Sequence, residues 1–402
     1  MASHHDVLIA GLGAMGSSAA YHLCRRGVRV CGFDRFSPPH AMGSSHGQTR
    51  IIREAYFEDP VYVPMVRRAY ELWRELEREA GTRLLLETGG LMIGRPDSQL
   101  ISGARASAEQ YGVQHEILGC SDISRRFPAF TVEHNMVAVY EPCAGIVFPE
   151  ACVQAHLSRA RACGAQIHSD EPVLRWKAGA DGVSVKTERG TYSADWLIVT
   201  AGAWAGQLLA DLEPPLTVER QVQFWFDPRS SRDHFSAANC PVHLWQFDDG
   251  RFAYGFPDLG NGIKVACHQQ GITGTPDSLT RDVSAQEVED IRSFIRRFIP
   301  DADGAFRSAA ACLYTNTPDE HFWIDRHPLH ANVLIASPCS GHGFKFASVI
   351  GEILADLTTR GGASFDLSVF RTRWPLPSAT RSSDSRSDSR SDSRSDSRSD
   401  SD

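Results

Sequence analysis

The feature that most constrains this chain is a glycine-rich turn close to its first residues. Residues 7–10 form a short apolar run that is typical of a buried parallel strand. The motif Gly11-x-Gly13-x-x-Gly16 follows directly, and residues 17–26 then have the composition of a helix. A strand that passes through such a turn into a helix is the context that a dinucleotide-binding motif requires.

Each glycine of this turn has a physical role in binding a pyrophosphate. Gly11 permits the tight turn, Gly13 lets the phosphate approach the backbone, and Gly16 lets the helix and the strand pack closely. The helix N-terminus adds free N–H groups and a partial positive charge. A second apolar strand, residues 28–33, ends at Asp34, whose carboxylate is suited to the ribose hydroxyls and would repel a 2′-phosphate. The sequence therefore predicts a site for NAD or FAD rather than NADP.

Size and composition limit the class of protein. A chain of 402 residues is longer than one compact core usually supports, so we expect two domains. The residues are 42% hydrophobic and 22% charged, as in an ordinary globular protein, and the formal net charge of −8 argues against nucleic-acid or membrane-surface partners. No apolar run has the length of a membrane span and no secretory signal is recognised, so a cytoplasmic location is expected.

The ten cysteines and the last residues carry little functional signal by themselves. No two cysteines form a Cys-x-x-Cys pair, so no metal site is expected and most cysteines should be small buried residues. Residues 378–402 are a Ser-Asp-Ser-Arg repeat with no apolar residue after Ala379. Such a segment cannot bury a core, so a disordered tail is expected, and its nearly balanced charge argues against an RNA-binding arm.

The pattern along the chain predicts an α/β fold in which a parallel nucleotide-binding domain is interrupted. Helices are predicted over residues 60–79, 150–163, 284–299 and 345–357. Short strands are predicted over residues 166–168, 173–176, 183–187, 194–201 and 333–336. An antiparallel sheet is predicted where polar and aromatic residues alternate, at residues 218–226, 243–247, 252–256 and 263–268.

These elements predict a Rossmann-type domain and an inserted antiparallel-sheet substrate domain. The expected nucleotide-binding domain comprises residues 1–80, 145–215 and 312–370, and the expected substrate domain comprises residues 81–144 and 216–311. A nucleotide domain that the chain leaves and re-enters is more typical of FAD enzymes than of NAD enzymes, which is an analogy at the level of the fold.

Blocks of sequence spread over residues 6–370 resemble one known group of enzymes. They are Pro38-Pro39-His40, residues 43–53, Tyr62-Val63-Pro64, Tyr254-Gly255-Phe256-Pro257, Cys312-Leu313-Tyr314, residues 319–325 and residues 340–346. In these blocks the chain resembles the monomeric sarcosine oxidase and N-methyltryptophan oxidase group of the D-amino-acid-oxidase-like flavoproteins. Two departures lie beside the expected flavin: the group usually has two adjacent histidines where this chain has Ser45-His46, and Asp where it has Gln48.

The resemblance implies an FAD-dependent enzyme with a small amino-acid substrate, O2 as the electron acceptor and a monomeric state. The cofactor contacts that it implies are Gly11, Gly13, Gly16, Asp34, Ser44, His46, Thr49, Arg50, Val173, Gly202, Cys312, Gly341, Gly343 and Lys345. The implied catalytic residues are Arg50, Tyr254, Lys264 and His268, and the implied ligands of the substrate carboxylate are Arg53 and Lys345.

Cys312 has two interpretations. Its surroundings are apolar, and a lone cysteine in such a run is ordinarily a core residue. The resemblance instead implies that its sulfur forms a thioether with the flavin ring. For this bond to form, the thiolate needs only to be held in a fixed position close to the flavin methyl carbon.

The turn at residues 340–346 follows a predicted strand and precedes a predicted helix. Its N–H groups and Lys345 would therefore stabilise the negative charge of a reduced flavin, although a glycine-rich turn with a solvated lysine remains an alternative. A guanidinium suits a carboxylate because its planar fork binds both oxygens, which fits the implied role of Arg53. The resemblance places Arg50 over the flavin, and each arginine alone could equally be a surface charge.

Tyr254, Lys264 and His268 are expected to share one face of a hairpin. With the hairpin centred near residue 259, Tyr254 lies directly opposite Lys264, and His268 lies on the same face by the period of two. Such a face either lines a site or is solvated. The resemblance makes Lys264 the cation near flavin N5 that promotes oxygen reduction, because oxygen reduction builds negative charge.

The expected reaction is oxidation of a secondary amino acid, N-methyl or cyclic, by hydride-equivalent transfer to flavin N5. It yields an imine or aldehyde and H2O2. The sequence does not identify the substrate, and Trp245 and Gln246 are candidates for the pocket wall. Three alternatives remain at this point: an NAD-dependent dehydrogenase, a flavin dehydrogenase that passes electrons to a quinone or a protein, and a non-catalytic flavin-binding module.

Overall fold

The computed structural model describes residues 4–269 and 271–375. Eight α-helices lie within those ranges: Ala14–Cys24, Tyr62–Ala80, Gln99–Tyr111, Cys120–Arg126, Pro149–Ala162, Ala205–Leu208, Ala285–Phe298 and Ala347–Thr359. Within the same ranges, no helix has both the length and the apolar character needed to cross a bilayer. The strands form three sheets.

The first sheet contains the predicted nucleotide-binding unit. Its central strand, His4–Ala10, is parallel to Val30–Phe33 on one side and to Thr191–Val199 on the other. Gln166–His168 extends the parallel sheet next to Val30–Phe33, and His330–Ser337 is parallel to the second half of Thr191–Val199. Antiparallel strands complete it: Arg175–Gly179, Gly182–Lys186 and Trp323–His327. The Rossmann-type arrangement expected from the glycine turn is thus confirmed.

The second sheet has nine strands among the described residues. Eight follow in the order Ile272–Gly274, Thr217–Phe226, Ile263–His268, Phe252–Phe256, Val242–Gln246, Gly90–Gly94, Val137–Glu141 and Glu116–Gly119, and Phe306–Asn316 also pairs with Thr217–Phe226. The four strands predicted from the sequence are antiparallel to their neighbours in that set. The junction between Val242–Gln246 and Gly90–Gly94 is parallel. Gly90–Gly94 was not predicted because it is buried throughout and shows no alternation.

A third, small sheet joins Arg50–Ile52 and Leu85–Glu87 to the two sides of Gly145–Val147. Its strand Arg50–Ile52 begins with Arg50, which lines the cleft described below. The strand Phe306–Asn316 runs through residues 311 and 312, where the predicted boundary between the domains lies. The division of the chain into domains stays a prediction.

Most predicted elements are present, with shifted ends. The first helix begins at Ala14 instead of residue 17. The last helix is Ala347–Thr359 instead of residues 345–357, because a 3-10 turn at Phe344–Phe346 precedes it. The predicted tail, residues 378–402, lies outside the described residues.

The amphipathic helix Ala285–Phe298 packs its apolar side against the second sheet. Trp245 is fully buried there, with its ring 4.9 Å from that of Phe298. Gln246 accepts a hydrogen bond from the backbone N–H of Leu100 in the helix Gln99–Tyr111. Neither candidate wall residue lines the cleft described below, whereas Leu244 does. Leu244 lines the cleft and Trp245 does not, because successive side chains of a strand point to opposite faces of the sheet.

Candidate functional site

A long cleft lies at the carboxyl ends of the parallel strands and continues to one face of the second sheet. It encloses about 1920 Å³ that protein atoms do not fill, with the open solvent at its mouth included. Many of the predicted site residues line it: Gly11, Gly13, Asp34, Ser44, Arg50, Arg53, Val173, Gly202, Tyr254, His268, Gly341, Gly343 and Lys345. The predicted residues that do not line it are Gly16, His46, Thr49, Lys264 and Cys312.

The three glycines of the first turn have different surroundings. A Cβ on Gly11 would lie 2.5 Å from the carbonyl oxygen of Thr200, and one on Gly16 would lie 1.8 Å from the carbonyl oxygen of Gly11. These two glycines permit close packing of the turn. The side of Gly13 is open, because the nearest atom to an added Cβ is the hydroxyl of Ser45 at 3.6 Å. A phosphate can therefore approach the backbone at Gly13.

Asp34 is fixed at the end of its strand. Its carboxylate accepts hydrogen bonds from the backbone N–H groups of Leu12 (2.7 Å) and Phe36 (2.9 Å). The His40 ring nitrogen lies 3.4 Å from the same carboxylate. Each carboxylate oxygen has a further lone pair, so Asp34 can still accept hydrogen bonds from ligand hydroxyls.

Lys345 lies at the other end of the cleft. Its Nζ donates to the carbonyl of His342 (2.8 Å) and to the hydroxyl of Tyr56 (3.2 Å). The residue is only 5% exposed, and burial lowers the pKa of its ammonium from 10.5 to about 7. Lys345 can therefore be charged or neutral near neutral pH.

Arg53 is paired inside the protein. Its guanidinium donates to both carboxylate oxygens of Glu58, at 2.9 and 2.7 Å, and to the carbonyl of Ala55 at 2.6 Å. Burial alone would raise the pKa of Glu58, but Arg53, His342 and Lys345 together outweigh burial, and the pKa is lowered. Arg50 donates to the carbonyl oxygens of Ser44 (2.7 Å) and Thr49 (2.8 Å), so its guanidinium is also held by backbone.

Lys264 and Thr49 are in contact behind the cleft wall. The Nζ of Lys264 donates to the carbonyls of Gly47 and Thr49, both at 2.8 Å, and to the hydroxyl of Thr49 at 3.1 Å. The ring centroid of Phe256 lies 4.6 Å from the same nitrogen. Burial, with a further contribution from Arg50, holds the pKa of Lys264 well below its usual range.

The hairpin that carries Tyr254 and Lys264 has a different register from the predicted one. Tyr254 lies opposite Ala266, and Lys264 lies opposite Phe256. The prediction that Tyr254 and Lys264 are directly opposite is therefore wrong by two residues. Because the shift is even, Tyr254, Lys264 and His268 are still on one face.

The polar side chains that this hairpin contributes to the cleft wall are uncharged. The ring nitrogen Nδ1 of His268 lies 3.2 Å from the hydroxyl oxygen of Tyr314. Burial lowers the pKa of His268 to about 4 and raises the pKa of Tyr254 to about 12. At neutral pH both side chains are therefore uncharged.

Cys312 and His46 lie outside the cleft lining. Cys312 is 1% exposed, and its Sγ accepts a hydrogen bond from the side-chain amide of Gln223 at 3.2 Å. The next two residues after Cys312, Leu313 and Tyr314, line the cleft. His46 borders a smaller cavity, burial lowers its pKa to about 3, and its Nε2 has no partner among the described residues.

Comparison with known proteins decides the family. The model of the family described as DAO, FAD dependent oxidoreductase, matches residues 6–357. This chain belongs to the FAD dependent oxidoreductase family. It is 46% identical to a monomeric sarcosine oxidase of Streptomyces avermitilis over 93% of this chain and 98% of that protein. It is 35% identical to an N-methyl-L-tryptophan oxidase of Yersinia pestis over 91% of this chain and 98% of that protein.

Solved structures agree on the fold of this FAD dependent oxidoreductase. NikD, an unusual amino acid oxidase, superposes with a TM-score of 0.80 at 24% identity, covering 92% of this chain and 97% of that chain. Glycine oxidase from Geobacillus kaustophilus gives a TM-score of 0.79 at 20% identity, covering 93% of this chain and all of that chain. The resemblance and the fold class inferred from the sequence are confirmed.

The cleft of this oxidoreductase fits FAD. The open side of Gly13 and the free N–H groups of the helix that starts at Ala14 suit a pyrophosphate. Asp34 keeps lone pairs for a ribose. Beyond this turn the cleft continues to the cationic groups of Arg50 and Lys345, which suit a ring that becomes negatively charged on reduction.

Sequence reasoning missed several residues of this site: Tyr56, Glu58, Glu141, Gln223 and the roles of Tyr314 and His342. Tyr314 and His342 do lie inside the sequence blocks that carried the resemblance. The other residues lie outside any motif, and their contacts join segments far apart in the chain, apart from the contact of Arg53 with Glu58. No local pattern in the sequence could have found them.

Proposed function

We propose that this enzyme oxidises a secondary amino acid, N-methyl or cyclic, and reduces O2 to H2O2. The observation that carries the proposal is the meeting of two buried basic side chains, Arg53 and Lys345, with the uncharged Tyr254 and His268 in the cleft that fits FAD. The names of its relatives, monomeric sarcosine oxidase and N-methyl-L-tryptophan oxidase, support a substrate of this class.

Arg53 and Lys345 would bind the substrate carboxylate. A planar guanidinium can donate to both carboxylate oxygens, and an ammonium adds a second charge-assisted hydrogen bond. Glu58 occupies the guanidinium of Arg53 in this structure. The substrate carboxylate must therefore compete with Glu58 or replace it.

The uncharged surroundings suit a neutral amine. His268 and Tyr254 carry no charge at neutral pH, and burial disfavours a further cation beside Arg50. When bound, FAD would supply the acceptor for the hydride equivalent from the C–H bond next to the amine nitrogen, and the two electrons that reduce O2. The oxidised substrate is an imine, which water hydrolyses.

A peroxide-coupled screen tests this function. The FAD-loaded enzyme should produce H2O2 with N-methyl or cyclic amino acids and none with the corresponding carboxylic acids that lack nitrogen. Flavin bleaching without oxygen should occur with the same substrates. Bleaching without peroxide in air would indicate another electron acceptor, and no bleaching with any secondary amine would contradict the proposed reaction.

Cys312 is proposed to hold the FAD covalently. This role is supported by the position of Cys312 directly before Leu313 and Tyr314, which line the cleft. Flavin should stay with the acid-denatured wild-type chain and should be released from Cys312→Ala. Cys339 also lines the cleft, so Cys339→Ala is the matched control and should retain the flavin. Complete release of flavin from the wild type would rule out the link.

Lys264 is proposed to promote the reaction with oxygen. A cation, or a lysine that gains a proton as negative charge develops, stabilises the anion formed when oxygen takes up an electron. Lys264→Met should slow flavin reoxidation by O2 much more than flavin reduction by the amine. Equal slowing of the two half-reactions would remove this role.

The remaining expectations are open to direct measurement. A monomer is proposed from the name of the relatives, and light scattering coupled to size exclusion measures it. The proposed FAD-binding domain comprises residues 1–80, 145–215 and 312–370. Limited proteolysis with mass spectrometry would locate the boundaries.

A further inference from the structure

A completely buried carboxylate lies behind the segment that carries Arg53. Glu141 is the last residue of the strand Val137–Glu141 and is 0% exposed. Its Oε1 accepts the backbone N–H of Glu54 at 2.7 Å, and its Oε2 accepts the backbone N–H of Ala55 at 2.9 Å. Both donors belong to the two residues that follow Arg53.

This placement is energetically demanding. A buried carboxylate is unfavourable unless it is well hydrogen-bonded or paired with a cation. Among the described residues, Glu141 forms no ion pair within contact distance, and its hydrogen bonds are the two from the backbone. Its two hydrogen bonds therefore tie Glu141 to the segment that directly follows Arg53.

Ala55 connects Glu141 to Arg53. Its N–H donates to Glu141, and its carbonyl accepts from the Arg53 guanidinium at 2.6 Å. These two groups belong to the successive peptides on either side of the Ala55 Cα. When Glu141 holds the N–H, it restrains the position of this residue and therefore of the carbonyl that orients the guanidinium.

We propose that Glu141 is a positioning residue for Arg53, and that adding a proton to Glu141 weakens the binding of the substrate carboxylate. The inference rests on the proposed function, since it takes Arg53 as a ligand of that carboxylate. A protonated carboxyl group presents one O–H, so it can no longer accept both backbone N–H groups well.

The surroundings make this proton accessible near neutral pH. Burial raises the pKa of Glu141 to about 7, and the two backbone hydrogen bonds and Arg53 oppose the rise. The titratable groups that face it are Arg53, Glu54, Tyr70 and Cys143. Because the pKa is raised, both hydrogen bonds are complete above about pH 7 and one is lost below it.

The test measures the binding of butyrate, a carboxylate without an amine, to the FAD-loaded enzyme. Its Kd is read from the change in flavin absorbance between pH 6 and pH 8, without turnover. Glu141→Gln should bind butyrate about tenfold more weakly than the wild type at pH 8, where one charge-assisted hydrogen bond is lost. At pH 6 the two proteins should differ by less than about twofold, because the wild type is then protonated as well.

Glu54→Gln is the matched control. It removes a carboxylate from the same segment, but that carboxylate contacts Arg67 and not the backbone of the segment. Simple charge removal near Arg53 would strengthen carboxylate binding in both variants. The proposal expects weaker binding only in Glu141→Gln, so the two explanations predict opposite signs.

The remaining outcomes are also decisive. Equal Kd values for Glu141→Gln and the wild type at pH 8, or the same ratio at pH 6 and pH 8, would overturn the inference. If Glu141→Gln does not fold, Lys345→Met serves instead, because its Kd should still rise below pH 7. A Kd there that does not change would overturn the inference too. If Arg53→Ala binds butyrate as well as the wild type does, the proposed role of Arg53 fails, and the inference fails with it.

Discussion

Titration of Lys345 should limit carboxylate binding on the alkaline side. Burial lowers the pKa of this ammonium from 10.5 to about 7, and no acidic side chain contacts its nitrogen among the described residues. Above that pKa the lysine must take up a proton before it can form a charge-assisted hydrogen bond with the carboxylate. Carboxylate binding should therefore weaken as the pH rises through about 7.

The size of the effect follows from the pKa. If only the protonated lysine binds the carboxylate, the Kd is proportional to 1 + 10^(pH − pKa), where the pKa is that of Lys345. Between pH 7 and pH 9 the Kd should increase about 50-fold, which corresponds to about 2.3 kcal/mol. The sign is that of a base whose pKa is lowered: the proton on Lys345 favours carboxylate binding, so the Kd rises as the pH increases above about 7.

Titration of the FAD-loaded enzyme with butyrate at several pH values measures this dependence. Lys345→Met should bind butyrate weakly with no alkaline limb, and Lys345→Arg should keep the charge and also lose that limb. A wild-type Kd that changes less than threefold between pH 7 and pH 9 would show that the lysine stays charged in the holoenzyme. Burial would then not lower the pKa of Lys345 in the FAD-loaded enzyme.

Three further perturbations test other parts of the structure. Gly16→Ala should destabilise the fold by several kcal/mol, because its Cβ would lie 1.8 Å from the carbonyl oxygen of Gly11, and an unchanged melting temperature would contradict this packing. Glu58→Gln should tighten butyrate binding about tenfold, since it removes the carboxylate that occupies Arg53, and weaker binding would mean that Glu58 helps the site. Burial holds the pKa of His156 well below its usual range, so the unfolded chain binds more protons below about pH 6.5. The unfolding free energy of the wild type should therefore fall as the pH decreases below about 6.5, and His156→Phe should make this fall less steep by up to about 1.4 kcal/mol per pH unit. Urea denaturation at several pH values measures the dependence. An unchanged slope of unfolding free energy against pH would exclude this contribution of His156.

The sequence was most informative where the deciding contacts are local. The strand, turn and helix around Gly11 and Asp34 follow one another within about thirty residues, so spacing alone specified the nucleotide-binding unit. The shared face of Tyr254, Lys264 and His268 was also predictable, because side chains alternate along a strand. The exact partners across that hairpin were not, since a register shift of two leaves the face unchanged.

The amino-acid sequence by itself determined the family, the FAD-binding class and the residue types available for chemistry. Only the tertiary structure decided their charge states and partners. Lys264 contacts Thr49 across 215 positions, and Glu141 contacts Ala55 across 86. Burial of Lys345 also depends on the whole packed molecule. Electrostatic energy depends on distance and on exclusion of water, and neither is written in the order of residues along the chain.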